Sequence, residues 1–167
     1  SMGGALAVIA AAEKDIEKTL LLAPAAAPAD ARLPIAKLSA ASLFSKRKKT
    51  EWHNDPGYSM YYEDAPADDM YLGSEYWSWI YFRQLASLMK LSRKAMDKAP
   101  LLKGSVKIIA AGNDALVPSE WTDALYRSMT CGKELVTIPG ATHYMLYDKD
   151  KKAEDEVIAS ALSFFAC

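Results

Sequence analysis

The chain alternates short strand-like runs with helical segments, and this alternation limits its fold more than any other feature. Leu20 to Pro24 is a continuous apolar run stopped by a proline, which is typical of a strand buried on both faces of a parallel sheet. Further strands are predicted at Val106 to Ala111 and at Glu134 to Pro139. Because strands that alternate with helices favour a parallel sheet, we predict an α/β fold whose active site lies beyond the C-terminal ends of its strands.

Helices are predicted around these strands from the spacing of apolar residues. Gly3 to Lys18 opens with small residues and then carries aliphatic residues near helical spacing. Ser74 to about Lys98 keeps a helical rhythm of aromatic and aliphatic residues. Ser119 to Met129, with Ser119 as the N-cap, and Ala153 to Phe165 each follow a predicted strand.

Residues 25–100 interrupt the alternation. This segment is irregular and rich in aromatic side chains, since ten of the 17 aromatic residues lie between Trp52 and Phe82. We therefore predict that residues 25–100 form an inserted, mainly helical cap, or lid. Residues 1–24 and 101–167 are then the two parts of the core.

Composition and charge exclude several classes of protein. The 167 residues are 51% hydrophobic with a net charge of -1, which favours a globular unit with a real core over a nucleic-acid binder. The one dense basic run, Lys46 to Lys49, is expected to be a solvated loop, with attraction to an anionic head group or surface as the alternative. The longest apolar stretches, Ala5 to Ala12 and Leu20 to Ala29, are shorter than the roughly 20 residues of a membrane span. Cys131 and Cys167 offer neither a disulfide framework nor a zinc site, so no metal or cofactor is expected.

The loops after the strands carry the residue types of nucleophilic catalysis. A nucleophilic serine needs a base, and the base needs an orienting carboxylate. Of the two histidines, His53 lies in the predicted cap, where a surface or turn role is expected, whereas His143 lies in a glycine-containing loop after a strand. Among the acids near these loops, Asp123 and Asp148 are expected to be solvated charges. Asp114, directly after a strand, is the preferred orienter.

Three loop motifs follow one another in the order serine, acid, histidine. Ser1-Met2-Gly3-Gly4 before a small-residue helix looks like the second half of a nucleophile elbow. Gly112 to Pro118 resembles an acid loop, and Gly140 to His143 resembles a histidine loop. With these motifs the chain resembles the α/β-hydrolase superfamily, in particular the branch of monoacylglycerol lipases, lysophospholipases and serine aminopeptidase-like hydrolases. The resemblance covers essentially the whole chain and implies the C-terminal half of that fold.

The resemblance implies a catalytic triad of Ser1, His143 and Asp114. Ser1 would attack a carbonyl carbon, His143 would pass its proton to the leaving group, and Asp114 would orient the imidazole. An acyl-enzyme would form and then be hydrolysed. The backbone N–H of Met2 would be one donor of the oxyanion hole, and the second donor would come from a loop after an earlier strand.

The expected reaction is hydrolysis of a carboxylic ester with a lipid-like or aromatic acyl group, since the cap aromatics could line an apolar tunnel. Val117 and Tyr144, which follow the acid and the base, and Trp77 of the cap are the expected substrate contacts. Amide or aminopeptidase chemistry is the alternative, and the acidic cluster at 63–69 could then hold the substrate amine. A binding module that keeps the fold without turnover is the alternative outside the enzymes.

The family's elbow is Gly-x-Ser-x-Gly on a strand, whereas this sequence opens at the serine. The strand into Ser1, the earlier strands and the second oxyanion donor are therefore expected on a partner, the N-terminal fragment of the same precursor. Cleavage immediately before Ser1, by the serine itself or by another protease, would produce this heterodimer, and a cloning remnant is the alternative. A less favoured mechanism takes the free amine of Ser1 as the base, which would leave the Asp114 and His143 loops idle.

Overall fold

A computed structural model describes residues 1–49, 79–148 and 150–166 of the protein. The described chain contains five helices of ten residues or more, five strands and two short 3-10 turns. In chain order these are α1 (Met2–Glu13), β1 (Lys18–Leu22), α2 (Ile35–Phe44), β2 (Arg47–Lys49), β3 (Trp79–Tyr81), α3 (Phe82–Lys98) with a 3-10 turn at Ala99–Leu101, β4 (Ser105–Ala111), α4 (Ser119–Ser128), β5 (Gly132–Ile138), a 3-10 turn at Met145–Tyr147, and α5 (Lys151–Ala166).

The main sheet has three parallel strands in the order β1-β4-β5. Lys18 is in register with Ser105, which is in turn in register with Gly132. The central strand β4 is buried from Val106 to Ala111, as a parallel strand covered on both faces must be. The predicted α/β fold with a parallel sheet is confirmed.

Two separate cores lie on the two faces of this sheet. On one face, Val106 and Ile108 of β4 pack with residues of α1, α3 and α4. On the other face, Ile109 and Ala111 pack with Ala153 and Val157 of α5. Alternate residues of one strand therefore supply both cores, which fixes the register of β4 and with it the position of the loop that follows.

The predicted helix from Ser74 to Lys98 begins later than expected, at Phe82. Trp79 to Tyr81 instead form β3, which pairs antiparallel with Arg47 to Lys49. Aromatic and β-branched residues favour a strand, and the guanidinium of Arg47 lies 3.7 Å from the centroid of the Trp79 ring across the pair. The basic run is exposed, as predicted, but part of it is a strand and not a loop.

Two helix ends also differ from the prediction. Helix α1 ends at Glu13, because Lys18 already pairs in β1. At α4 the N-cap is Pro118, and Ser119 is the first helical residue with no side-chain cap hydrogen bond at this end.

Helix α3 packs along α1, and its Ala95 and Met96 join the core that contains Val8. The end of the segment assigned to the cap therefore contributes to the core of the sheet. Residues 50–78 lie outside the described residues, so the division into core and cap stays a prediction. In the described part of the chain, no helix combines the length and the apolar character that crossing a membrane requires.

Candidate active site

Loops from all three parallel strands meet at one edge of the sheet. Asp114 lies three residues after the end of β4, and His143 lies five residues after the end of β5. Ser1 is fixed beside the end of β1, since its nitrogen donates to the carbonyl of Leu22 at 3.1 Å. Because parallel strands all end on the same side, the chain brings these three predicted residues to a common edge.

Asp114 and His143 form a buried hydrogen-bonded pair. Nδ1 of His143 lies 3.0 Å from Oδ1 and 2.9 Å from Oδ2 of Asp114. Only 5% of the His143 side chain and 6% of the Asp114 side chain are exposed. A neutral imidazole that donates from Nδ1 keeps its Nε2 lone pair for accepting a proton.

The acid loop closes around the carboxylate of Asp114. Oδ1 accepts the backbone N–H groups of Leu116 and Val117, both at 2.8 Å. Burial raises the pKa of Asp114, but the hydrogen bonds from His143, Val117 and Leu116 and the charge of a protonated His143 outweigh it, so the pKa is lowered overall. The carboxylate is therefore ionised at neutral pH, which is the form that can orient an imidazole and stabilise its cation.

Asp148 stabilises the histidine loop and is only 1% exposed. Its Oδ2 accepts the backbone N–H of Thr142 at 2.5 Å and the hydroxyl of Thr142 at 2.8 Å, and its Oδ1 accepts the N–H of Asp150 at 3.2 Å. The prediction that Asp148 is a solvated charge is wrong, because these donors compensate the burial of its carboxylate. By contrast, Asp123 is exposed on α4, as predicted.

Ser1 is the N-cap residue of α1 and lies at the edge of the sheet. Its carbonyl accepts the N–H of Ala5 in the first turn at 3.2 Å and the N–H of Ala25, after β1, at 3.1 Å. A Cβ on Gly4 would lie 2.8 Å from the Cα of Pro24, so only glycine permits this approach of helix and turn. The second glycine of the Ser-Met-Gly-Gly motif thus has a packing reason.

Ser1 differs from the other two residues in its exposure. The Ser1 residue as a whole is exposed, whereas the side chains of Asp114 and His143 are buried.

The predicted substrate contacts differ in their surroundings. Val117 is buried, and its N–H bonds Asp114. The Tyr144 ring packs edge-on against His143, with the two centroids 5.6 Å apart. Met2, the predicted oxyanion donor, has a half-exposed side chain at the start of α1. Trp77 lies outside the described residues, as does His53.

A groove beside Met2 was not predicted from the sequence. It has a volume of about 580 Å³, and apart from Met2 its lining comes from one face of α3: Arg83, Gln84, Ser87, Leu88 and Leu91. The spacing of these residues at i, i+1, i+4, i+5 and i+8 could have indicated a shared helix face. Only the packing of α3 on α1, however, brings that face to Met2.

Comparison with known proteins gives one family and many similar structures. The profile of the family described as serine aminopeptidase, S33, matches residues 1–150. No curated protein matches the chain. The fold is similar to that of a monoacylglycerol lipase from Paleococcus ferrophilus, with 18% identity and a TM-score of 0.69, over 98% of this chain and 66% of that one.

Two further structures extend this comparison. A soluble variant of monoglyceride lipase from Saccharomyces cerevisiae has 19% identity and a TM-score of 0.70, over 96% of this chain and 57% of that one. Est1E from Butyrivibrio proteoclasticus has 20% identity and a TM-score of 0.56, over 100% of this chain and 59% of that one. The chain thus spans less than two thirds of the length of each of these three structures. At identities below 25% these structures show the fold alone. The family profile, which matches most of the chain, confirms the superfamily branch expected from the sequence.

Proposed function

Because the chain belongs to the serine aminopeptidase S33 family of α/β-hydrolases, we propose that it is a serine hydrolase with Ser1 as nucleophile, His143 as base and Asp114 as orienting acid. The observation that carries the proposal is the buried Asp114–His143 pair at the sheet edge where Ser1, the N-cap residue of α1, lies. A structural ion pair has no need of an imidazole there, whereas a triad does.

The proposed reaction proceeds in two halves. Nε2 of His143 takes the proton of the Ser1 hydroxyl as Oγ attacks the carbonyl carbon, and the imidazolium is stabilised by Asp114. His143 then returns the proton to the leaving oxygen or nitrogen, which leaves an acyl group on Ser1. Water, activated by the same imidazole, attacks the acyl-enzyme and regenerates Ser1.

The oxyanion that forms in each half-reaction needs N–H donors. The first N–H groups of a helix have no partner inside the helix, and Met2 is the first residue of α1. Its N–H is the proposed donor, assisted by the positive end of the helix dipole.

The proposed substrate is a carboxylic ester with an apolar acyl group. Support comes from the groove beside Met2, whose lining includes Leu88 and Leu91, and from the similarity of the fold to that of two monoacylglycerol lipases. The family's description as serine aminopeptidase supports amide hydrolysis as the second candidate. The acidic cluster at 63–69, which could hold an amine, lies outside the described residues.

We also propose that polypeptide outside these 167 residues completes the sheet and supplies the second oxyanion donor. Strand β1 lies at the edge of the described sheet, yet its Thr19 and Leu21 are buried. The backbone N–H and C=O groups along an unpaired strand edge can form hydrogen bonds with a further strand. Mass spectrometry of the active protein from its source should find more than the 18.3 kDa of this chain, either as one longer chain or as a complex. Full activity in an 18.3 kDa species would contradict this part of the proposal.

The function is tested by a substrate panel. The active protein purified from its source, with the polypeptide that completes the sheet, should hydrolyse p-nitrophenyl esters and monoacylglycerol faster than aminoacyl amides, and His143→Ala should abolish all of these activities. Faster cleavage of the amides would favour the aminopeptidase candidate. Activity that survives His143→Ala would contradict the proposed base, and the absence of any turnover would favour a binding module.

A further inference from the structure

We propose that the end of α2 and the adjoining strand β2 form a docking surface for an anionic lipid bilayer. This surface, the basic–apolar edge, consists of Leu43, Phe44 and the four cations Lys46, Arg47, Lys48 and Lys49. Leu43 is 82% exposed and Phe44 is 91% exposed, the highest values among the exposed large hydrophobic side chains of the described chain. Contact of these two adjacent apolar side chains with water is unfavourable, so a partner that covers them gains free energy.

The positive charge of this edge is local. The chain as a whole has a net charge of -1, yet four consecutive cations occur here and all four are exposed. Among the described residues, no carboxylate forms an ion pair with any of them. Arg47 stacks on the Trp79 ring, whereas the charges of Lys46, Lys48 and Lys49 form no ion pair within the described chain and lie in solvent.

The cations are carried on an ordered ribbon. Strand β2 pairs with β3, and Arg47 stacks on the Trp79 ring. The hydroxyl of Ser45 donates to the carbonyl of Arg47 at 2.8 Å, and the N–H of Phe82 donates to the carbonyl of Lys46 at 3.3 Å. These bonds keep the basic strand directly beside the exposed end of α2, so the two halves of the edge can act on one partner.

A bilayer with anionic lipid matches both halves. Its head groups would attract the cations, while the boundary of its acyl region would accept Leu43 and Phe44. A nucleic acid would use the cations and leave the apolar pair in water. Charge complementarity together with an exposed apolar pair therefore selects the membrane surface.

The basic–apolar edge lies close to the groove beside Met2, so docking would bring lipid substrate to the site; this step rests on the proposed function. Strand β3 leads directly into α3 at Phe82, and the face of α3 from Arg83 onward lines the groove beside Met2. A bilayer held at the basic–apolar edge would lie next to that groove, from which a lipid ester could be drawn. Binding to the bilayer needs no catalysis, so it can be tested on its own.

The test is co-sedimentation with vesicles of phosphatidylcholine, with and without phosphatidylserine. We expect binding to the mixed vesicles only, weakened by salt. Reversing Lys46, Lys48 and Lys49 to Glu should weaken binding by more than about a hundredfold. Arg47 is left intact because it stacks on Trp79.

Matched controls separate the edge from charge in general. The same three-charge reversal at Lys90, Lys94 and Lys103, which are exposed elsewhere, should weaken binding far less. The double substitution Leu43→Ser with Phe44→Ser should also weaken binding to the vesicles. In Phe44→Trp, the fluorescence of the new tryptophan should be quenched by brominated lipid. Ser1→Ala should bind as the wild type does, whether or not the proposed catalysis is correct.

Several results would overturn the proposal. These are no binding to phosphatidylserine vesicles, equal losses for the two charge reversals, no effect of the Leu43 and Phe44 substitutions, or tighter binding to a double-stranded oligonucleotide than to the vesicles. The circular dichroism spectrum of each variant is compared with that of the wild type, so that a loss of binding can be distinguished from a loss of fold.

Discussion

The two sides of the candidate site are held in different ways. Asp114 and His143 are buried, bonded to each other and held by closed loops, in which Asp148 fixes one side and the N–H groups of Leu116 and Val117 fix the other. Ser1 is exposed, and backbone bonds to β1 and the segment after it hold its place. The base and its orienter are thus preorganised within this chain, whereas the proposed nucleophile lies at the margin of the described sheet.

The comparison predicts that Ser1 matters for chemistry and hardly at all for stability. Ser1→Ala should lower kcat for ester hydrolysis by about 10⁶-fold, the loss seen when a triad nucleophile is removed. Its melting temperature should change little, because the Ser1 side chain makes no cap hydrogen bond at the start of α1. Ser119→Ala, at another exposed serine, is the control and should keep full activity. Comparable activity in the two variants would exclude Ser1 as the nucleophile.

The buried side should respond differently, because Asp114→Asn removes the charge and the acceptor that orient His143. We expect kcat to fall by about 10⁴-fold through the wrong imidazole tautomer. The variant should also lose stability in denaturant titration, unlike Ser1→Ala. A variant that keeps more than about a tenth of the activity would show that Asp114 is not the orienting acid.

The packing beneath the acid loop should be sensitive to cavities. Leu125 of α4 is fully buried in the core that contains Val106 and Ile108 of β4, so Leu125→Ala should cost about 2 to 5 kcal/mol of unfolding free energy. Leu162→Ala, on the exposed face of α5, should stay within about 0.5 kcal/mol of the wild type. If urea titration showed the same loss of unfolding free energy for Leu125→Ala and Leu162→Ala, the placement of α4 over the sheet would be contradicted.

Asp148 should act through His143 and not on the substrate. Asp148→Asn weakens the acceptor for the two donors of Thr142, which should cost about 1 to 3 kcal/mol of stability. A displaced imidazole should lower kcat by about tenfold to a hundredfold with KM nearly unchanged. Asp155, whose carboxylate is exposed, supplies the control, and Asp155→Asn should alter neither the stability nor kcat. An effect of Asp148→Asn on KM alone would point to a substrate contact instead.

The smallest expected effect is a dependence of stability on acid. The pKa of Asp114 is lowered in the folded protein, so its contribution to stability is complete above the ordinary carboxyl pKa of about 3.9. That contribution should be lost as the pH falls through the lower, folded value. Denaturant titrations at neutral and acid pH should show the gap between wild type and Asp114→Asn narrowing in acid. A gap that stays constant would mean that the pair is not ionised as described, and Asp123→Asn provides an exposed control.

Features of the fold and the candidate site that depend on local sequence pattern could be predicted. The mostly apolar run at 106–111 predicts β4, and its end predicts where Asp114 falls. The order of Ser1, Asp114 and His143 predicts the shared edge, since parallel strands end together. Such features need only the neighbours of each residue along the chain.

Features that depend on distant partners could not be predicted. Residues 79–81 form strand β3 by pairing with 47–49, about 30 residues earlier in the chain, although the spacing of apolar residues there predicts a helix. The burial of Asp148 depends on how the histidine loop folds back, and the groove depends on α3 packing against α1. In each case tertiary contact, and not local propensity, decides the outcome.

The most direct test of the central claim is to find where an acylating probe reacts. The protein is treated with a fluorophosphonate, digested, and mapped by tandem mass spectrometry. We expect a single adduct on Ser1, formed in the wild type and in Ser119→Ala and absent in His143→Ala. An adduct on any other residue, or Ser1 labelling that persists without His143, would contradict the proposed triad.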